Sequence, residues 1–272
     1  MGHETITTAK VCFRYLFGVL LVLHSSWAVA QTAAKPPVYV LVHGGWHGGW
    51  CWQQVSAQLR ATGAVVYTPT LNRMGEHRHT LTPAIDLNTH INDIVNLREA
   101  EDLHEVVLVG HSYAGLVITG VADRMPARLR QLVFLDAVLA ENGQSLVATH
   151  PKPVQEAFAA AAAQDHGLSL PIRSVAGFGV TDLAVIKWAD ARLTPQPYRC
   201  FTQPLALRHP FGNGLPLSFI ACSKPELSVL EVFAAHTRHN PRWTYYELPT
   251  GHDAMLSLPR ETAALLQSIG QR

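Results

Sequence analysis

Charge is scarce in this chain of 272 residues. Asp, Glu, Lys and Arg make up 15% of it, and neither sign gathers into a block. Nucleic-acid binding needs a basic stripe, so that class of partner is set aside. Cysteine is scarcer still: Cys12, Cys51, Cys200 and Cys222 are the full complement, with no C-x-x-C spacing. That argues against a structural zinc site. Beyond Cys12, the other three allow at most one disulfide and leave a thiol over, and buried free thiols are the expectation. No internal repeat is visible. The apolar run near the N-terminus, Tyr15 to Leu23, is too short for a comfortable membrane span.

That short run belongs to a leader. Lys10 and Arg14 form a basic start, and Ala28-Val29-Ala30 is a small-x-small cleavage site. Residues 1–30 therefore read as a secretory signal peptide, and the protein is expected to be exported, periplasmic or secreted. The alternative is an uncleaved N-terminal anchor. Cleavage leaves Gln31 to Arg272, enough for one large α/β domain with an ample core. Lys10, Arg14 and Glu4 leave with the leader. From totals of 21 Lys+Arg and 20 Asp+Glu, the remainder is formally neutral.

Periodicity supplies the architecture. Apolar runs at 37–43, 64–68, 105–110, 131–136, 217–221 and 243–248 predict strands, most of them buried on both faces. Helical spacing appears at 51–61, 86–101, from Ser112 to about 125, at about 226–238 and at 261–269. Such alternation predicts a mostly parallel, doubly wound sheet. Residues 137–214 break the pattern with helical stretches at 157–163 and 181–191, several prolines and no clear strand. This reads as an inserted helical cap. His43, Ser112, Asp136 and His252 all fall near the carboxyl ends of strands, where such sheets bind ligands.

Residues 105–115 carry the strongest chemical signal. The apolar stretch ends at Gly110, Ser112 follows between small residues, and a helix pattern begins at once. A nucleophilic serine at a sharp strand–turn–helix elbow needs this context. Ala114 occupies the last place of G-x-S-x-G, a mild departure. A serine hydroxyl needs a base that can take its proton, and histidine suits that task. His252 follows the last strand, after Gly251. The acid that orients it is Asp136 or Glu226. Asp136 is preferred because an unpaired carboxylate closing an apolar strand would be costly. Glu226 reads as well as a first-turn acid at a helix N-terminus. Developing negative charge on a substrate oxygen would be met by backbone N–H groups. Tyr113 supplies one, and Gly45 the other, with Trp46 as second choice.

Val-His-Gly-Gly-Trp-His-Gly-Gly-Trp-Cys-Trp (42–52), Gly-His-Ser-Tyr-Ala-Gly (110–115) and Leu-Pro-Thr-Gly-His-Asp-Ala-Met (248–255) together resemble the α/β-hydrolase superfamily. They are most similar to its branch of small bacterial carboxylesterases, plant methyl esterases and hydroxynitrile lyases. The similarity extends to Asp136-Ala-Val-Leu-Ala-Glu-Asn-Gly-Gln-Ser145 and Arg192-Leu-Thr-Pro-Gln-Pro197. It implies an α/β-hydrolase fold and serine ester hydrolysis of a small-molecule ester, with no cofactor and no metal. The lyases of that branch typically have Thr where Gly44 stands and Lys directly after the histidine; this chain has Asp253 there. A lyase-like enzyme, or a binder that has lost its chemistry, are the alternatives. A haloalkane dehalogenase would carry Asp at position 112.

His43, Phe178 and Trp188 are candidate pocket residues, and Phe201 and Phe211 could extend an apolar wall. For His43 the preferred reading is that it orders the glycine loop by hydrogen bonding. His43 with His47, and His77 with His79, lack a usual metal-ligand pattern. The segment 76–79 reads as pocket entrance or as solvated surface. The leader makes one prediction: protein recovered from a secreting bacterial host should begin at Gln31 by intact mass. A mass that retains residues 1–30 would support the anchor instead.

Overall fold

The apolar runs become β1 (Val38–Val42), β2 (Val65–Tyr67), β3 (Val106–His111), β4 (Leu129–Leu135), β5 (Ser169–Leu170), β6 (Gln196–Pro197), β7 (Leu217–Cys222) and β8 (Trp243–Leu248). The computed structural model describes residues 1–2, 35–80 and 82–272. The leader and its cleavage site lie outside the described residues, save Met1 and Gly2. Pro36–Arg272 forms one compact unit. Among the described residues, no helix is long and apolar enough to cross a membrane.

A six-stranded sheet runs in the order β2-β1-β3-β4-β7-β8, and every neighbouring pair is parallel. Its central strands β3 and β7 are buried along their whole length, whereas the edge strands β2 and β8 are partly open. This gradient explains why the central strands are continuous Val/Leu/Ile/Phe runs and β8 carries Thr244 and Glu247. Between the strands lie α1 (Gln53–Ala61), α2 (Leu87–Ala100), α3 (Ala114–Arg124), α4 (Lys152–Ala163), α5 (Leu183–Asp190), α6 (Tyr198–Thr202) and α7 (Glu231–Arg238), and α8 (Ala254–Ser257) and α9 (Pro259–Gly270) follow β8. The α2 start is set by Asp86, whose side chain accepts from the Thr89 N–H while Thr89 Oγ1 accepts from the Asp86 N–H.

Between β4 and β7 the chain leaves the sheet. It forms α4, α5, α6 and the two-residue antiparallel pair β5–β6, then returns directly beside β4. That small pair escapes sequence reading, because two residues cannot show a period. The helix expected at about 226–238 begins only at Glu231. Lys224-Pro225 and the residues after it form a loop that carries Glu226 on the surface.

Close approaches fix how the layers meet. Tyr39 of β1 donates its hydroxyl proton to the Leu266 carbonyl of α9 at 3.2 Å. At the start of α3, a Cβ on Gly115 would lie 2.2 Å from the Val138 carbonyl oxygen, so only glycine lets the helix sit against the strand exit. Gly115→Ala should therefore lower the unfolding free energy by about 1–3 kcal/mol in urea denaturation. Gly177→Ala, which meets nothing within 4 Å, serves as the control. Equal midpoints for the two variants would refute the close packing.

Candidate active site

The parallel register brings three strand ends to one edge. Val42 of β1 lies beside Gly110 of β3, and His111 of β3 lies beside Leu135 of β4. The residues that follow each strand, the glycine loop from His43, Ser112, and Asp136, therefore emerge side by side. The turn after β8 adds His252.

Ser112 sits in the left-handed region, at φ 55°, between the end of β3 and the start of α3. Its backbone is held on both sides. The Ser112 N–H donates to the Leu135 carbonyl at 3.1 Å, and its carbonyl accepts from the Val138 N–H at 3.0 Å. Trp46 (φ 63°) and Asp136 (φ 43°) share the same strained region. Left-handed non-glycine residues cost about 1–3 kcal/mol each and concentrate at functional sites. Small neighbours make room for the elbow: a Cβ on Gly44 would lie 2.9 Å from the Ser112 Cβ.

Asp136 and His252 are buried and joined. His252 Nδ1 donates to Asp136 Oδ2 at 2.7 Å, and Asp136 Oδ1 accepts from the Cys222 N–H at 3.2 Å. Because the carboxylate can only accept, the proton stays on Nδ1 and Nε2 keeps its lone pair. Ser112 is only partly buried, and its Oγ donates to no acceptor among the described residues. Such nucleophile–base contacts are often loose until a substrate is bound. Glu226 is exposed on its loop and joins none of these contacts.

Two N–H groups at the cleft, those of Gly45 and Tyr113, find no acceptor among the described residues. Trp46 must be removed from the set. Its N–H donates to Gln196 Oε1 at 3.2 Å, and its indole N–H to the Pro171 carbonyl at 2.9 Å. Nothing in the local sequence signals that partner, which lies 150 residues away.

His43 follows its loop-ordering reading and not the pocket one. It is completely buried and borders none of the cavities described below. Its Nε2 accepts from the Leu71 N–H at 3.1 Å, and its Nδ1 donates to the Gly44 carbonyl at 2.8 Å. It shapes the glycine loop rather than a pocket. Phe178 packs on both His252 and Trp46, with ring centroids 5.5 and 5.8 Å away. A mostly apolar cavity of about 170 Å³ adjoins Trp46, lined by Val154, Phe158, Leu170, Pro171 and Arg173 among others. Trp188 borders a different cavity of about 590 Å³, with Trp50, Cys51 and Met255. Phe201 lies against Tyr113 and Trp46, whereas Phe211 packs with Phe134 and Trp243 in the sheet core. Residues 76–79 are exposed, and Glu76 and Arg78 flank a shallow cavity beside Trp50. Cys51, Cys200 and Cys222 are free and buried.

Sequence reading passed over two neighbours of His252. His111 donates from Nε2 to the His252 carbonyl at 3.1 Å, and Asp253 is fully buried beside it. One atom each from His111, His252 and Asp253 fall within 4.8 Å of one another. No spacing rule finds this trio, because His111 ends β3 whereas His252 and Asp253 lie in the distant turn after β8.

Burial dominates the histidine titrations. It pulls His43 down to about 3, only partly offset by the Gly44 carbonyl, and it pulls His111 well below its ordinary value, helped by His252 and His47. Below the unfolded value of 6.5, the unfolded chain binds protons that the folded His43 refuses. Stability should therefore fall as pH drops from about 6.5 toward 3, by about 1.4 kcal/mol per pH unit for each such histidine. Urea denaturation from pH 6.5 to 4.5 should show this slope, and His43→Gln should reduce it by about one proton. An identical slope in the variant would remove His43 from the account.

A sequence profile described as the alpha/beta hydrolase family matches residues 39–265. A carbendazim-hydrolyzing esterase of Nocardioides sp. is 39% identical over 85% of this chain and 99% of its own length. Methylesterase 10 of Arabidopsis thaliana is 26% identical over 86% and 92%. An extracellular alpha/beta-hydrolase from a Paenibacillus species superposes with a TM-score of 0.77 at 21% identity, over 87% of this chain and all of the other.

Proposed function

The chain belongs to the alpha/beta hydrolase family and is a hydrolase that acts on carboxylic esters; we propose that it does so through an acyl-enzyme on Ser112 and that it works outside the cytoplasm. One observation carries the chemical reading: a buried 2.7 Å hydrogen bond from His252 Nδ1 to Asp136, behind a strained serine elbow.

The steps follow from the atoms present. Ser112 Oγ attacks the ester carbonyl while His252 Nε2 takes its proton. The imidazolium so formed is stabilised by Asp136, whose carboxylate also fixes the ring orientation. Negative charge collects on the former carbonyl oxygen, where the Gly45 and Tyr113 N–H groups can meet it. Collapse of the tetrahedral species expels the alcohol, which leaves with the proton from His252. Water then attacks the acyl-enzyme with His252 again as base, and the acid departs as Ser112 recovers its proton. The apolar cavity beside Trp46 suits a small or aromatic apolar group of the ester. Export rests on the leader read at residues 1–30.

Hydrolysis of a p-nitrophenyl acyl series tests the reading, with carbendazim added because a relative is named for hydrolysing it. Ser112→Ala should lower kcat by several orders of magnitude with folding intact by circular dichroism. Asp136→Asn should cost about 10⁴-fold, as the wrong imidazole tautomer does elsewhere. Glu226→Gln should be close to silent. Undiminished turnover by Ser112→Ala would exclude the acyl-enzyme, and a larger loss for Glu226→Gln than for Asp136→Asn would assign the acid to Glu226.

A further inference from the structure

Behind His252 lies a buried charge that the reaction steps do not use. Asp253 is fully buried, and neither of its carboxylate oxygens is hydrogen bonded among the described residues. Its nearest partners are two ring nitrogens: His47 Nε2 at 3.3 Å and His111 Nε2 at 3.7 Å. A lone carboxylate in such a place would be costly to desolvate, and a cation beside it would offset that cost.

His47 is placed to be that cation. Its Nδ1 lies 2.7 Å from the Gly45 carbonyl, which can only accept, so Nδ1 carries a proton. Its Nε2 faces the Asp253 carboxylate. Nδ1 is thus hydrogen bonded, and Nε2 lies within ion-pair distance of the carboxylate without an aligned hydrogen bond, so a doubly protonated ring would meet Asp253 by charge. Burial is the largest single influence and opposes the charge, but Asp253, the Gly45 carbonyl and Asp190 together outweigh it, and His47 is held above its ordinary value. The neighbouring histidines, His111 and His43, are pushed down and stay neutral near pH 7. The other rings packed on His47 are Trp50 and Phe178, which carry no charge.

We infer that the buried Asp253 carboxylate, paired with His47 and faced by His111, is a positioning group that holds the glycine loop, the serine elbow and the turn of His252 in one register. The links are two hydrogen bonds to backbone carbonyls and two ion-pair contacts of 3.3 and 3.7 Å to Asp253. His47 grips the carbonyl of Gly45, whose N–H is a proposed oxyanion donor. His111 directly precedes Ser112 and grips the carbonyl of His252. Asp253 directly follows His252, so a shift of its carboxylate moves the base. A misplacement of about 1 Å at such a junction can cost about 10²-fold in rate. This role rests on the reading of Ser112, His252 and Gly45 given above, whereas the charge on His47 does not.

The test uses the purified protein with ¹⁵N-labelled histidine, the His47 ring being assigned by its loss in His47→Gln. At pH 6.5, the ordinary histidine value, the doubly protonated form of the His47 ring should predominate in the wild type and not in Asp253→Asn. The hydrogen-bonded Nδ1 proton of His252 should shift in Asp253→Asn and in His47→Gln. With p-nitrophenyl acetate, kcat should fall about 10²-fold in either variant, with KM changing far less. The double variant should be no slower than the slower single one, because the two residues act as a unit. A neutral His47 ring in the wild type, an unmoved His252 proton, or losses that multiply in the double variant would each overturn the inference. If Asp253→Asn fails to fold by circular dichroism, the wild-type ring state and His47→Gln decide the matter. A protonated His47 and a shifted His252 proton in a protein that hydrolyses no ester would sink the esterase reading and leave the positioning role intact.

Discussion

The hydrogen bond between Asp136 and His252 is formed where water cannot reach it, and much of the surrounding structure serves to make that possible. A buried carboxylate is tolerated only when its lone pairs are met. Here the Cys222 N–H at the end of β7 meets one oxygen and His252 Nδ1 the other. β4 must therefore run parallel to β7 and end just short of it, and the turn after β8 must fold back over both. The long excursion between β4 and β7 is compatible with this because it begins and ends at adjacent strands.

Backbone strain gathers at the same edge. Trp46, Ser112 and Asp136 lie on three different connections, yet all adopt positive φ. Such conformations persist only where surrounding contacts over-determine them. The two-sided backbone bonds of Ser112 and the Asp136 N–H, which donates to the Ile220 carbonyl at 2.7 Å, are contacts of that kind. Glycines at 44 and 115 supply the close approach that these turns need.

The histidines divide by partner. His43 is bracketed by a backbone donor and a backbone acceptor and is kept neutral by burial. His47 has acceptors on both sides and is pushed the other way. Two identical side chains, four residues apart on one loop, thus acquire opposite electrostatic characters. The linkage signs are opposite too. Stability from His47 is fully present below the ordinary histidine value of 6.5 and is lost as pH rises through its raised folded value, whereas His43 destabilises as pH falls.

The sequence by itself determined the alternation of strand and helix, and with it a parallel sheet, because buried strands must be apolar along their length. It also marked Ser112 and His252, because an elbow demands small neighbours and a strand end delivers a loop to the ligand-binding edge. The choice between Asp136 and Glu226 was weighted by one local fact, the cost of an unpaired acid at the end of an apolar strand. Tertiary structure alone decided the rest. That Trp46 spends its N–H on Gln196, that His43 faces backbone rather than a pocket, and that Asp253 meets His47 all depend on partners far away in the chain. Periodicity and propensity act over a few residues, whereas hydrogen bonds and ion pairs are settled by which loops the sheet order brings together.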